Sequence, residues 1–185
     1  MKTRHLLAAI LAVACSQPAS AKGVLAADRP ETQASATFTV TSRDFKAGGE
    51  IPKKFTDYDI GMSPSLVWKG VPEGTKSLAV IMEDPDASTS QPFLHWLGWN
   101  IDPAAGLIER GSVTLGARLG RNGRGNPAYF GPRPPGKTPH KYHFQMFALD
   151  AQLPLKAGAS REQLLQAMKG HVLAKASLVG TFAKP

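Results

Sequence analysis

Four short stretches of the chain concentrate side chains that can hold charge, ligate a metal or move a proton. Glu83-Asp84-Pro85-Asp86 sets three carboxylates around a proline, a composition that also suits a plain turn after an apolar run. Phe93-Leu94-His95-Trp96 puts one imidazole in an apolar stretch, where it is either a satisfied core residue or part of a site. Tyr129-Phe130-Gly131-Pro132-Arg133-Pro134-Pro135-Gly136 reads as a stiff connection or a rigid rim. In His140-Lys141-Tyr142 the imidazole and the phenol share one face of a strand.

Several catalytic classes fail on inspection. Gly131 to Thr138 formally matches the phosphate-binding pattern G-x-x-x-x-G-K-[ST]. That loop works through backbone N–H groups, which Pro132, Pro134 and Pro135 lack, and Thr138 runs into Pro139 rather than a helix. No G-x-S-x-G or H-E-x-x-H is present. His140 and His143 lie three apart on a strand, hence on opposite faces, so they do not form a metal pair. A site of Asp84, Asp86, His95 and His140 is the one metal-dependent hydrolase alternative. The preferred reading is non-catalytic, with no metal and no cofactor.

The elements around these stretches read mainly as strands. Phe38–Ser42 alternates apolar with polar, Leu66–Trp68 is a short strand candidate, and Ser77–Met82 is a continuous apolar run of strand length. Leu94–Ile101 is aromatic and β-prone. Lys141–Leu149 is the clearest strand, with Tyr142, Phe144, Met146 and Ala148 on one face and His143, Gln145, Phe147 and Leu149 on the other. One helix is predicted after Ser160, where Ser160 and Gln163 form a capping box and Gly170 closes the end. A second helical stretch is expected through His171 to Ser177.

The chain has 185 residues, a length that suits one domain with a sizeable core. Its 18 Gly and 15 Pro exceed the usual share and favour a turn-rich β fold over a helical bundle. Lys2 and Arg4, the apolar run Leu6–Ala14 and Ala19-Ser20-Ala21 read as a secretory signal peptide over residues 1–21. Ala12-Val13-Ala14-Cys15 weakly resembles a bacterial lipobox, so the expected location is periplasmic or secreted, with a lipoprotein anchored at Cys15 as the alternative. Residues 22–35 read as a flexible lead-in, and residues 36–185 as the folded domain.

Removing the leader takes the formal net charge from +8 to +6. From Glu109 to Lys141, seven cations face one acid, again a net +6, which suggests a positive apron around an anion site. Aromatics in that run are confined to the adjacent pair Tyr129-Phe130 rather than interleaved with the cations, and the chain reads as exported, so nucleic-acid binding is disfavoured.

In order, Asp84-Pro85-Asp86-Ala87, His95-Trp96, Asn100-Ile101, Tyr129 to Pro132, Pro134-Pro135-Gly136 and His140-Lys141-Tyr142 closely resemble the phosphatidylethanolamine-binding protein family, in its bacterial Raf-kinase-inhibitor-like branch. Ser63-Pro64, Leu66 with Trp68, Pro72 with Gly74 to Ser77, Ala148 to Asp150, and Gly170-His171 with Leu173-Ala174 extend the resemblance across the domain. It implies a mainly β fold of two antiparallel sheets with Greek-key connections and flanking helices. It also implies a small cavity for phosphate-like anions and phospholipid headgroups, walled by Asp84, Asp86, His95, Pro134, Pro135, His140 and Tyr142, with Tyr129 and Gly131 shaping the adjoining loop.

In such a pocket His95, His140 and the Tyr142 hydroxyl would donate to phosphate oxygens, while the two prolines stiffen the rim. A carboxylate repels an anion, so Asp84 fits if it orients a histidine, accepts from a ligand donor or is itself protonated. Ser88-Thr89 replaces the usual proline after Asp-Pro-Asp-Ala, and Arg133 stands where the family has a small residue, which predicts a more open and more basic mouth. The expected partner is a small anionic or phosphate-bearing ligand, with at most peripheral membrane contact. A protein partner of protease or kinase type, inhibited by the chain, is the alternative. A homodimer is compatible with either.

Overall fold

The computed structural model describes residues 23–112 and 116–185. The signal-peptide reading and the Cys15 alternative therefore lie outside the described residues. The described residues form nine strands: β1 (Ala36–Thr37), β2 (Thr39–Thr41), β3 (Leu66–Lys69), β4 (Ser77–Asp84), β5 (Phe93–Ile101), β6 (Leu107–Ile108), β7 (Arg118–Leu119), β8 (His140–Leu149) and β9 (Val172–Phe182). Helix α1 (Arg161–Met168) precedes the last strand. The large sheet has the order β1-β9-β8-β4-β5-β7, and the small one β2-β3-β6. After the β4–β5 hairpin the chain visits the small sheet and returns to lay β8 on the other side of β4, the long return of Greek-key connectivity. The β1–β9 pair is parallel, a departure from the all-antiparallel expectation.

Alternation on β4 explains the three layers. Leu78, Val80 and Met82 pack toward the small sheet with Val40, Leu66, Trp68 and Phe144. Ala79 and Ile81 face the opposite way, against Leu164, Leu165 and Met168 of α1. The strand is buried along its whole length, which is why it reads as an unbroken apolar run. The two faces expected for β8 are those observed. Helix α1 starts at the expected capping box, and Gly170, at φ 81°, follows its end.

Two expectations are overturned. The stretch His171–Ser177 does not form a helix: β9 pairs with β8 from Val172 to Phe182, and that long ladder decides a short apolar stretch whose own preference is ambiguous. Residues 23–35, expected as a flexible lead-in, make two short 3-10 turns with Ala26 and Thr32 fully buried. The Ala26 N–H donates to the Glu83 carboxylate (2.8 Å) and the Ala27 N–H to the Gln145 side chain (2.6 Å). Arg161 donates to the Val24 carbonyl (2.9 Å) and Lys175 to that of Ala27 (2.7 Å). Among the described residues, no helix is long and apolar enough to cross a membrane.

Candidate functional site

Strands β8, β4 and β5 are neighbours, so the end of β4 lies beside the starts of the other two. Register brings Asp84 opposite Phe93 on one side, and Glu83 opposite His143 on the other. Asp84 shares the face of Met82, and its side chain is almost wholly spent within the protein. Oδ1 accepts from the backbone N–H groups of Asp86 (2.8 Å) and Ala87 (3.1 Å), closing the turn. Oδ2 lies 2.8 Å from His140 Nδ1. Of the three roles that suit a carboxylate beside an anion, orienting a histidine is the one observed. The Asp84 bond puts the proton on Nδ1 and leaves Nε2 for other partners. Asp86 accepts from the Lys141 N–H (2.8 Å) and so ties the turn to β8.

His95 has a different character from the one expected. It is 3% exposed, and its Nδ1 lies 2.7 Å from the Phe130 carbonyl, to which Nδ1–H donates. Burial pushes its pKa down to about 4, against smaller raising effects of that hydrogen bond and of Asp84. The ring is neutral at pH 7 and offers a lone pair at Nε2, so it is an acceptor and not the phosphate donor expected. Between pH 6.5 and about 4 the unfolded chain takes up a proton that folded His95 refuses, so stability falls as pH drops through that window. The full effect is about 3 kcal/mol. Urea unfolding at pH 7 and pH 4 is expected to show a correspondingly smaller acid loss in His95→Gln.

The proline-rich stretch is bound to residues 53–58 rather than lying free on the surface. Tyr58 donates to the Pro134 carbonyl (2.6 Å), Asp57 N–H to that of Pro132 (3.1 Å), and Tyr129 to that of Phe55 (2.8 Å). Gly131 sits at the closest approach: a Cβ there would lie 2.7 Å from Asp57 N and 2.8 Å from Phe55 O. Tyr129 and Gly131 therefore hold the loop and do not line the cavity. Tyr142 is also displaced from its expected role. It is fully buried beneath His95, with ring centroids 5.2 Å apart and edge to face, and it too is absent from the cavity wall. Among the described residues its hydroxyl makes no well-formed hydrogen bond. Burial first, then the nearby Asp84 carboxylate, pushes that phenol well above its ordinary pKa.

The resulting cavity has a volume of about 370 Å³, in the range of small-molecule sites. It brings together Asp84, Asp86, His95, Pro134, Pro135 and His140, six of the nine expected residues. Ser88 and Thr89 join the wall as the departure at those positions suggested. Sequence reasoning missed Phe93, Arg124 and Phe130 as wall residues. Phe130 stacks on His95 (5.5 Å, 6° between planes), and the Arg124 guanidinium lies over the Phe130 ring, 4.0 Å from its centroid. The basic apron is more dispersed than its net charge implies. Arg124 and Arg133 line the cavity, Arg133 is paired with Asp57 (2.5 Å), and Arg110 is paired with Asp44 away from it. Among the described residues, no group of three or more His, Cys, Asp or Glu side chains is placed to hold a metal ion.

The phosphatidylethanolamine-binding protein family model matches residues 41–183. The chain belongs to that family. A UPF0098 protein of Chlamydia muridarum is 39% identical over 147 residues, which cover 77% of this chain and 97% of that one. Another, of Methanothermobacter thermautotrophicus, is 43% identical over 145 residues, covering 76% and 95%. Among solved structures, a phosphatidylethanolamine-binding protein homologue of Chlamydia trachomatis superposes with a TM-score of 0.76 at 37% identity, covering 82% of this chain and all of its own. YbcL of Escherichia coli, described as a member of the mammalian family, gives 0.75 at 31%, covering 81% and 100%. The family match begins at Thr41, so the clamped segment 23–35 precedes the family domain while packing against it.

Proposed function

We propose that this family member is an exported, non-catalytic binding protein whose cavity holds phosphate-like anions or phospholipid headgroups. The supporting observation is the Asp84–His140 bond at a preformed, cation-rimmed cavity. With Nδ1–H held by Asp84, a protonated His140 presents Nε2–H to an anion while the carboxylate balances its charge. Pro134 and Pro135 hold the rim without competing donors, so little ordering accompanies binding. The wall hydroxyls are not arranged for nucleophilic attack. Thr89 donates to the Gln91 carbonyl, and among the described residues His140 bonds neither Ser88 nor Thr89.

Calorimetric titration with inorganic phosphate and with phosphoethanolamine tests the reading. The protein is recovered from the exported fraction, where an intact mass starting at Lys22 is expected. Wild type is expected to bind at least one of the two ligands, and His140→Ala to bind it tenfold or more weakly. Equal affinity in the variant, or no binding by wild type, would sink the proposal.

A further inference from the structure

We infer that Arg124 is the permanent charge that receives the anion, beside His140, in an inference that rests on the cavity being an anion site. The permanent charges at the cavity are unequal in what they have left to offer. Arg133 is committed to Asp57 and lies over the Tyr58 ring. His95 gives its Nδ1 proton to the Phe130 carbonyl, and His140 gives its own to Asp84, which leaves only its Nε2 for the ligand. Arg124 lines the same cavity, is exposed, and among the described residues has no carboxylate partner.

Its position is built from below. Asn122 is buried, and its Oδ1 accepts from the Arg124 N–H (2.9 Å) and the Asn126 N–H (3.2 Å), while its Nδ2 donates to the Ala128 carbonyl (2.9 Å). The Gly123 N–H donates to the Leu94 carbonyl (2.7 Å), and a Cβ on Gly123 would meet the Phe93 ring at 2.7 Å, so this turn is seated tightly on β5. The guanidinium lies over the Phe130 ring, which itself stacks on His95, and this contact holds it at the cavity. A planar, always-charged fork seated on an aromatic ring suits phosphate or carboxylate oxygens, and part of its side-chain freedom is already lost before they arrive. The anionic end of a ligand is thereby held at the mouth, beside Phe130. The acceptor atom left free at the buried part of the wall, His95 Nε2, suits a hydroxyl or ammonium group on the same ligand.

Inorganic phosphate is the probe, titrated into wild type, Arg124→Gln, Arg124→Lys and Arg133→Gln. Arg124→Gln is expected to bind tenfold or more weakly. Arg124→Lys recovers only part of the loss, since it keeps the charge without the planar fork. Arg133→Gln, also at the wall but with its charge already paired to Asp57, is expected to weaken binding clearly less than Arg124→Gln. Wild-type binding that survives Arg124→Gln, or an equal loss in Arg133→Gln, overturns this inference and leaves the cavity reading standing. No binding by wild type overturns both.

Discussion

Arg161→Ala is expected to lower the unfolding free energy by about 3–5 kcal/mol. Glu83 is fully buried on the helix-facing side of β4, and Arg161 donates to it at 2.5 Å with only 10% of its own side chain exposed. The remaining acceptor capacity of Glu83 is met by the Ala26 N–H (2.8 Å) and Gln145 (2.7 Å). Truncating Arg161 leaves a carboxylate in the interior with neutral donors alone, and the uncompensated charge makes the loss large. Urea unfolding should show a lower midpoint with an unchanged slope. Adding Glu83→Gln to Arg161→Ala should restore about 1 kcal/mol or more, since the second change removes the stranded charge. An additive double variant would mean that the two side chains are energetically independent. The pair also bears on the site. Glu83 and Asp84 are successive residues of β4, so one strand end anchors the 23–35 segment on one face and His140 on the other.

Most of the frame could be read from local patterning because period-2 alternation reports burial directly. The two faces of β8 and the continuous run of β4 are clear for that reason. What patterning does not report is depth or partner. Tyr142 lies on the expected face but a layer below the cavity, and alternation says nothing about which residue of a face reaches the surface. Glu83 reads as one of three carboxylates in a turn, yet it points away from the other two, toward an arginine 78 positions later. The same hidden carboxylate explains the lead-in. Residues 23–35 have no periodicity of their own, and they fold because Glu83 and Gln145 give two of their N–H groups buried acceptors.

The site was legible where chemistry is carried by rare residue types in strands, as with Asp84, His95 and His140. It was illegible where a loop delivers the side chain. Arg124 reads as one of seven cations in a basic run, and only the Asn122 turn and the Phe130 ring single it out. A signal was present, since Asn122 and Gly125 bracket it as turn residues, but turn residues do not say which surface the turn faces.

Gly131→Ala is expected to damage both stability and binding, because the place of the missing Cβ is already filled. The atoms it would meet, Asp57 N and Thr56 C at 2.7 Å and Phe55 O at 2.8 Å, are all backbone, so no flexible side chain can move aside. Either the 129–135 loop or the 53–58 segment must shift, at a cost of about 2–3 kcal/mol. The shift acts on the cavity through bonds already present. Phe130 shares two hydrogen bonds with His95, one through the ring and one through the backbone, and Pro134 is held by Tyr58. Moving Gly131 therefore displaces the rim prolines and the Phe130 ring together, and phosphate affinity should fall tenfold or more even at temperatures where the variant is fully folded. Gly136→Ala is the control, because a Cβ there meets nothing within 4 Å. It should change stability by less than about 0.5 kcal/mol and leave affinity unchanged. Equal behaviour of the two variants in thermal unfolding and in titration would mean that the close approach at Gly131 is not what holds the rim.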